Sequence, residues 1–288
     1  MSTLQNPHAP FDAALSAALD ANVRTALAED VGSGDLTGLL VPAGQQASAQ
    51  VIVREPAVLC GAPWFERVML QVDAGIRITW LHAEGDLMEA GMTVCTITGP
   101  ARALLTAERT ALNFLQLLSG VASATRRHVD AVAGTAAQVL DTRKTLPGLR
   151  LAQKYAVRVG GGANQRLALY DGILIKENHI AAAGGVAAAF RKAQALQTGA
   201  PVQIEVESLD QLKEALDAGA ESILLDNFSP TLMRAAVAQA AGRAVLEASG
   251  GISLATLREI AETGVNRISI GSLTKDVRAT DYSMRFAD

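Results

Sequence analysis

The residues best able to do chemistry in this chain collect at or just after the ends of short apolar runs. The first run ends in Asp141-Thr142-Arg143-Lys144 and the second in Lys176-Glu177-Asn178-His179. The third carries Glu205 and Glu207, the fourth Asp226-Asn227, and the fifth Glu247 followed by Ser249-Gly250-Gly251. The sixth delivers Gly271-Ser272 and then Lys275. Charge sorts along the series. Arg143, Lys144, Arg166 and Lys176 come early, and an arginine fork grips a carboxylate through two bonds. Glu205 and Asp226 come in the middle, where acids suit a magnesium ion or a cation that develops during reaction. Glycines and hydroxyls come late, and small residues let backbone N–H groups close on a phosphate. Together they describe an anionic ring compound, a sugar carrying phosphates, and a metal.

Taken singly, each residue has a plainer reading. An isolated Arg or Lys is usually a solvated surface charge, and Glu205 could be a salt-bridge partner inside the fold. Gly160-Gly161-Gly162 could simply end a helix, and His179 could be an ordinary loop histidine. The weight lies in the coincidence of so many such residues at the ends of successive runs.

The runs themselves, at about 138–141, 172–176, 202–206, 222–226, 244–248 and 267–271, read as strands. Helical stretches at about 209–218, 231–241 and 254–263 separate them, stopped by Gly219, Gly242 and Gly264 and begun by caps at Ser208 and Ser253. Six such alternations predict a parallel sheet buried on both faces. No GxGxxG opens the first unit, so a closed or nearly closed barrel fits better than an open sheet, with the chemistry on its C-terminal rim. Upstream, about 12–30 reads as an amphipathic helix with Leu15, Leu19, Val23 and Leu27 on one face. Short β-like runs at 49–54, 76–81 and 93–98 follow, interrupted by a helical patch at 63–72. Long helices over about 103–133 bridge to the barrel. The domain expectation is therefore an N-terminal helical segment (1–30), a small α/β domain with bridging helices (31–125), and an α/β-barrel catalytic domain (126–288) whose final strand or helix returns to the N-terminal domain.

Composition is compatible. The chain has 288 residues, 49% of them hydrophobic but only 4% aromatic, so Ala, Val, Leu and Ile must fill the core. A net charge of −4 argues against a general nucleic-acid binder but permits a local cationic pocket. Two cysteines, Cys60 and Cys95, form neither a disulfide framework nor a zinc pattern. The first twenty residues show no basic region before an apolar run, and no stretch reaches the roughly 18 uncharged apolar residues of a membrane span. The expected location is the cytoplasm.

Several longer strings carry a resemblance. Asp141-Thr142-Arg143-Lys144-Thr145-Leu146-Pro147-Gly148-Leu149-Arg150 resembles the signature of quinolinate phosphoribosyltransferases, also called nicotinate-nucleotide pyrophosphorylases (carboxylating). So do Lys154-Tyr155-Ala156-Val157, Gly160-Gly161-Gly162, Leu174 through His179, and Leu225-Asp226-Asn227-Phe228. Upstream, Glu108 through Asn113, Leu118 through Ala122, and Glu29 through Thr37 match as well. The resemblance runs from about residue 20 to the C-terminus. It implies a small N-terminal α/β domain plus an incomplete parallel α/β barrel, Mg²⁺ as cofactor, and phosphoribosyl transfer to quinolinate with decarboxylation, giving nicotinate mononucleotide on the route to NAD. It also implies a homodimer or larger assembly in which Arg109 is donated by the neighbour.

By the same resemblance Arg143, Arg166 and Lys176 surround the quinolinate carboxylates, and Lys144 lies between substrate and donor phosphates. Glu205 and Asp226 lie near ribose and metal, and Ser249, Gly250, Gly271, Ser272 and Lys275 form the phosphate end. Gln165 stands where many members have His. An amide can position a substrate but carries no proton or charge at neutral pH.

Four rivals remain open from the sequence. A Schiff-base enzyme would use Lys176 as nucleophile. A biotinyl or lipoyl carrier is suggested by Ala83 through Gly91, but that turn has no lysine. The others are a related phosphoribosyltransferase-like protein found with molybdenum transport, and a family member acting on nicotinate.

Overall fold

The computed structural model describes residues 3–287. They divide into two compact units, one containing the chain up to Arg126, Thr145–Gly161 and the stretch from Asp276 on, the other Arg127–Lys144 and Gly162–Lys275. In chain order the elements begin with α1 (Ala13–Val31), β1 (Gln46–Val53), β2 (Ala57–Val58), α2 (Ala62–Val72), β3 (Arg77–Trp80), β4 (Leu87–Met88), β5 (Thr93–Pro100) and α3 (Ala101–Ala131). Next come β6 (Gln138–Leu140), α4 (Arg150–Val159), β7 (Ile173–Ile175), α5 (Glu177–Ala183), α6 (Val186–Ala195), β8 (Val202–Val206) and α7 (Leu209–Asp217). The remainder is β9 (Ser222–Asp226), α8 (Pro230–Ala240), β10 (Val245–Ser249), α9 (Leu254–Ala261), β11 (Arg267–Ser269), α10 (Ser272–Lys275) and β12 (Tyr282–Phe286).

In the first unit an antiparallel sheet of order β12-β1-β5-β3 packs its apolar face against helices. Trp64, Phe65, Val68 and Met69 of α2 meet Leu104, Ala107, Ala111, Leu115 and Leu118 of α3 in one core. Both sets recur at three- and four-residue spacing, as a single buried helix face requires. The bridging region expected as several long helices is one helix of 31 residues. Helix α4 also packs into this core through Ala152, Tyr155, Ala156 and Val159.

The second unit is a six-stranded sheet of order β6-β11-β10-β9-β8-β7, parallel throughout. Its first strand β6 pairs with its last, β11, which leaves β6 and β7 as the two edges. Residues of both edges and of every strand between them line one cavity, so the sheet curls round on itself with its opening between β6 and β7. Ala163 forms a single parallel bridge to Leu140 there. One sheet face is apolar: Val139, Ile175, Ile204, Val206, Ile223, Leu225, Leu246, Ala248 and Ile268 pack with the helices. The alternate residues point the other way, and among them are Gln203, Glu205, Asp226, Glu247, Ser249, Arg267 and Ser269. The second face is mixed, since Leu140, Leu174, Leu224 and Val245 share it with these polar residues, and Leu140, Leu224, Glu205, Glu247 and Ser269 are buried on it.

Element ends shift the site residues slightly. Strands β6, β7 and β11 stop at Leu140, Ile175 and Ser269, so Asp141 opens a loop, Lys176 caps α5, and Gly271 lies two residues past its strand, just before α10. Glu247 sits in mid-strand, two residues before the end of β10. Between β7 and β8 the chain builds α5 and α6, which the alternation of strands and glycines had left unassigned. No helix among the described residues is long and apolar enough to cross a membrane.

Candidate active site

Asp141 follows β6 and is wholly buried. Its Oδ1 accepts the Gln165 backbone N–H at 2.9 Å and its Oδ2 the Asn164 amide at 2.6 Å. A buried carboxylate needs such donors, and here they fix the stretch that carries Gln165 and Arg166. The next turn is closed by Asp171, which accepts the N–H groups of Leu167 and Ala168 at 2.7 and 3.0 Å. Arg166 Nη1 donates to Gly172 O at 3.1 Å.

Two guanidinium groups are thereby held close. Burial and then the charge of Arg143 lower the Arg166 pKa, and Asp171 opposes them only in part. The Nε atoms of both Arg143 and Arg166 are buried without a hydrogen-bond partner. Buried donors are normally satisfied, and like charges repel, so an anion placed between them could satisfy both.

The other predicted residues fall into three groups. Lys176 Nζ donates to Glu205 Oε2 at 2.9 Å; the carboxylate is almost buried while the lysine is half exposed. Asp226, last residue of β9, lies level with Ser249 on β10. Its Oδ2 accepts the Asn227 amide at 2.8 Å, and Asn227 adopts a left-handed backbone with φ 55°. Gly250 is required beside it, because a Cβ there would come 2.1 Å from Asn227 Oδ1, at a φ of 105°. At the end of β11 a Cβ on Gly271 would meet Lys144 Cδ at 3.0 Å, so the glycine makes room for the lysine stem. Thr274 Oγ1 donates to Lys144 O at 2.8 Å and ties the Lys144 loop to α10, whose ends are Ser272 and the exposed Lys275.

Arg109 belongs to the first unit, exposed on α3. His179 takes the plainer reading: its Nδ1 accepts the Lys176 backbone N–H at 3.0 Å and caps α5. Gly160 caps the end of α4. Asp141 and Glu247 stood among the polar residues of the runs without an assigned role, and Gln203 was not singled out. Gln165 Nε2 donates to Gln203 Oε1 at 3.1 Å, and Gln203 Nε2 to Glu247 Oε2 at 2.9 Å. Their signal was the alternation of polar with apolar residues inside two short strands.

The model of the quinolinate phosphoribosyl transferase N-terminal domain matches residues 35–119, and that of the C-terminal domain residues 121–285. The chain belongs to the quinolinate phosphoribosyltransferase family. Among its relatives in the family, the nicotinate-nucleotide pyrophosphorylase [carboxylating] of Mycobacterium leprae is 44% identical over 280 residues, covering 95% of this chain and 98% of the relative. The probable nicotinate-nucleotide pyrophosphorylase [carboxylating] of Bacillus subtilis is 41% identical over 257 residues, 89% of each chain. The solved nicotinate-nucleotide pyrophosphorylase from Francisella tularensis superposes with a TM-score of 0.92 at 44% identity, covering 94% of this chain and 96% of that one. Membership in the quinolinate phosphoribosyltransferase family disposes of the Schiff-base and carrier readings.

Proposed function

We propose that this chain transfers the phosphoribosyl group of phosphoribosyl pyrophosphate to quinolinate with decarboxylation, yielding nicotinate mononucleotide, pyrophosphate and CO₂ for NAD biosynthesis. The observation that carries this reading is the pair of buried, partnerless Nε donors on Arg143 and Arg166. Two adjacent guanidiniums match a ring with two adjacent carboxylates better than one with a single carboxylate.

In this reading Arg143, Arg166 and Lys176 neutralise the quinolinate carboxylates and aim the ring nitrogen at C1 of the ribose, with Gln165 positioning the ring. Lys144 holds phosphate beside Gly271, and Ser249, Gly250, Gly271, Ser272 and Lys275 receive the donor phosphates. Departure of pyrophosphate leaves positive charge at C1, as in glycoside cleavage. Glu205 and Asp226 stabilise that charge electrostatically. Lys176, bound to Glu205 at 2.9 Å, couples the carboxylate pocket to this acidic end. Once the pyridine nitrogen is alkylated, the ring accepts the electron pair released as the adjacent carboxylate leaves. No covalent enzyme intermediate is needed, and positioning two anions is the main task.

Glu205 and Asp226 also fit Mg²⁺. Among the described residues no group of three or more His, Cys, Asp or Glu is placed to hold a metal ion. Mg²⁺ characteristically takes one or two carboxylates with substrate phosphates, and Asp226 uses only Oδ2 within the protein, which suits that mode. When bound, the ion would neutralise the leaving group.

A homodimer or larger assembly supplies Arg109 from the neighbour. Support comes from the exposure of Arg109 on α3 and from exposed Leu36, Leu39 and Leu40 in a loop tied to α3 through Asp35–Thr106 and Arg102–Val41 hydrogen bonds. Two free, buried thiols suit a reducing cytoplasm.

The test is an incubation of protein, quinolinate, phosphoribosyl pyrophosphate and Mg²⁺. Nicotinate mononucleotide should form from quinolinate, and little or none when nicotinate replaces it. Turnover of nicotinate at the same rate would transfer the reading to a monocarboxylate enzyme.

A further inference from the structure

The inward face of the parallel sheet holds a hydrogen-bonded chain that the roles above leave unexplained. It runs from Gln165 to Gln203 to Glu247, with bonds of 3.1 and 2.9 Å. Glu247 is 1% exposed, and its Oε1 is buried without a partner. These three side chains, with Arg166, Ser222 and Arg267, help to line a cavity of 320 Å³.

An amide can face a neighbour with either its oxygen or its nitrogen, so two glutamines alone would leave the direction of the chain undetermined. A carboxyl oxygen without a proton only accepts, and Glu247 Oε2 takes that place toward Gln203. It draws the amino group of Gln203 toward itself, which turns the Gln203 carbonyl to Gln165 and draws in the Gln165 amino group. The polarity of one buried acid is passed through two amides to a residue adjoining Arg166.

We propose that Glu247 and Gln203 are positioning residues that lock the Gln165 amide in one of its two orientations, and so set the affinity for the pyridine dicarboxylate. This rests on the function proposed above. Glu247 touches no substrate in this scheme and acts only through Gln165.

The test is a double-mutant cycle read by calorimetry with quinolinate, using Glu247→Gln, Gln165→Ala and the double variant. Glu247→Gln keeps the shape and removes only the accept-only character. It should weaken quinolinate binding roughly threefold to tenfold, the range of one misdirected neutral hydrogen bond. Affinity for phosphoribosyl pyrophosphate should not move. In the Gln165→Ala background the same substitution should have no further effect, since coupled residues are not additive. Gln203→Leu breaks the chain at its centre and should repeat the pattern, which covers the case of a Glu247 variant that does not fold. Undiminished affinity in Glu247→Gln, or an equal loss with and without Gln165, overturns the relay while leaving the proposed function standing. Failure of the wild-type protein to bind quinolinate overturns both.

Discussion

Glu84 offers a prediction whose size follows from its surroundings. It is almost fully buried in the first unit, where its carboxylate accepts the N–H groups of Gly61 and Ala62 at 2.8 and 3.2 Å and the Tyr155 hydroxyl at 2.9 Å. Gly61 and Ala62 begin α2, so this acid caps that helix from a distance of some twenty residues in sequence. These three donors, with the Cys60 thiol as a fourth, favour the charged form. Desolvation nevertheless prevails and raises the pKa from its ordinary 4.5 to about 7.

The sign follows directly. The folded state keeps the proton up to about pH 7, whereas the unfolded chain releases it near 4.5. The associated stability is fully present below pH 4.5 and is lost as the pH rises through about 7. A rise of this extent, at about 1.4 kcal/mol per pH unit, amounts to about 3 kcal/mol. In Glu84→Gln that titration is gone, so the wild-type advantage over the variant should shrink by about 3 kcal/mol across the window. Urea unfolding at a series of pH values, followed by tryptophan fluorescence, measures it. Both tryptophans, Trp64 and Trp80, lie in the first unit, and the Trp64 and Tyr155 ring centroids are 5.4 Å apart. Other groups titrate in both proteins and cancel in the difference. A wild-type-minus-variant difference that stays constant with pH, or grows as pH rises, refutes the reasoning.

Three further expectations are simpler. Arg143→Ala should weaken quinolinate binding by roughly tenfold to a hundredfold, the range for a hydrogen bond to a charged group, with donor binding retained; calorimetry showing unchanged quinolinate affinity would count against the carboxylate assignment. Gly120→Ala should destabilise the first unit by about 1–3 kcal/mol in urea unfolding, the usual range for overpacking, because its Cβ would come 2.3 Å from Arg278 O; a variant as stable as wild type would show that the α3–Arg278 approach is looser than it looks. Cys60 and Cys95 are buried, and desolvation pushes both thiols well up, so an aromatic disulfide reagent should label neither in the native protein and both in urea. Rapid native labelling of either would contradict the packing around it.

The strand-and-helix rhythm of the second unit was legible because apolar β runs and glycine stops repeat there at regular spacing. The ends of those runs singled out Arg143, Lys176, Glu205 and Asp226 as candidates. Glu247 stood out as an acid of the fifth run but without a role, and Gln203 was passed over because attention to strand ends skips polar residues inside Val202–Val206. The burial of Glu247, and its bond to Gln203, become evident only when that face of the sheet is turned inward. Glu84 carries no local mark of its burial: Ala83 through Gly91 reads as a structural hairpin, and the environment of Glu84 is completed by Tyr155, 71 residues away. The same holds for α4. Its residues Leu151, Ala152, Tyr155, Ala156 and Val159 have helical spacing, but nothing in that spacing says that the helix joins the first unit's core, while the strands before and after it build the other. Periodicity reports which face of an element is apolar; it does not report which core that face enters.

The central claim is that one protein joins ribose to a pyridine nitrogen and thereby labilises the neighbouring carboxylate. Quinolinate isotopically labelled in the carboxyl next to that nitrogen tests it most directly. Labelled CO₂ should appear only when phosphoribosyl pyrophosphate is present, in equal amount to the nucleotide formed. Release without the donor, or nucleotide that retains the label, would contradict the account.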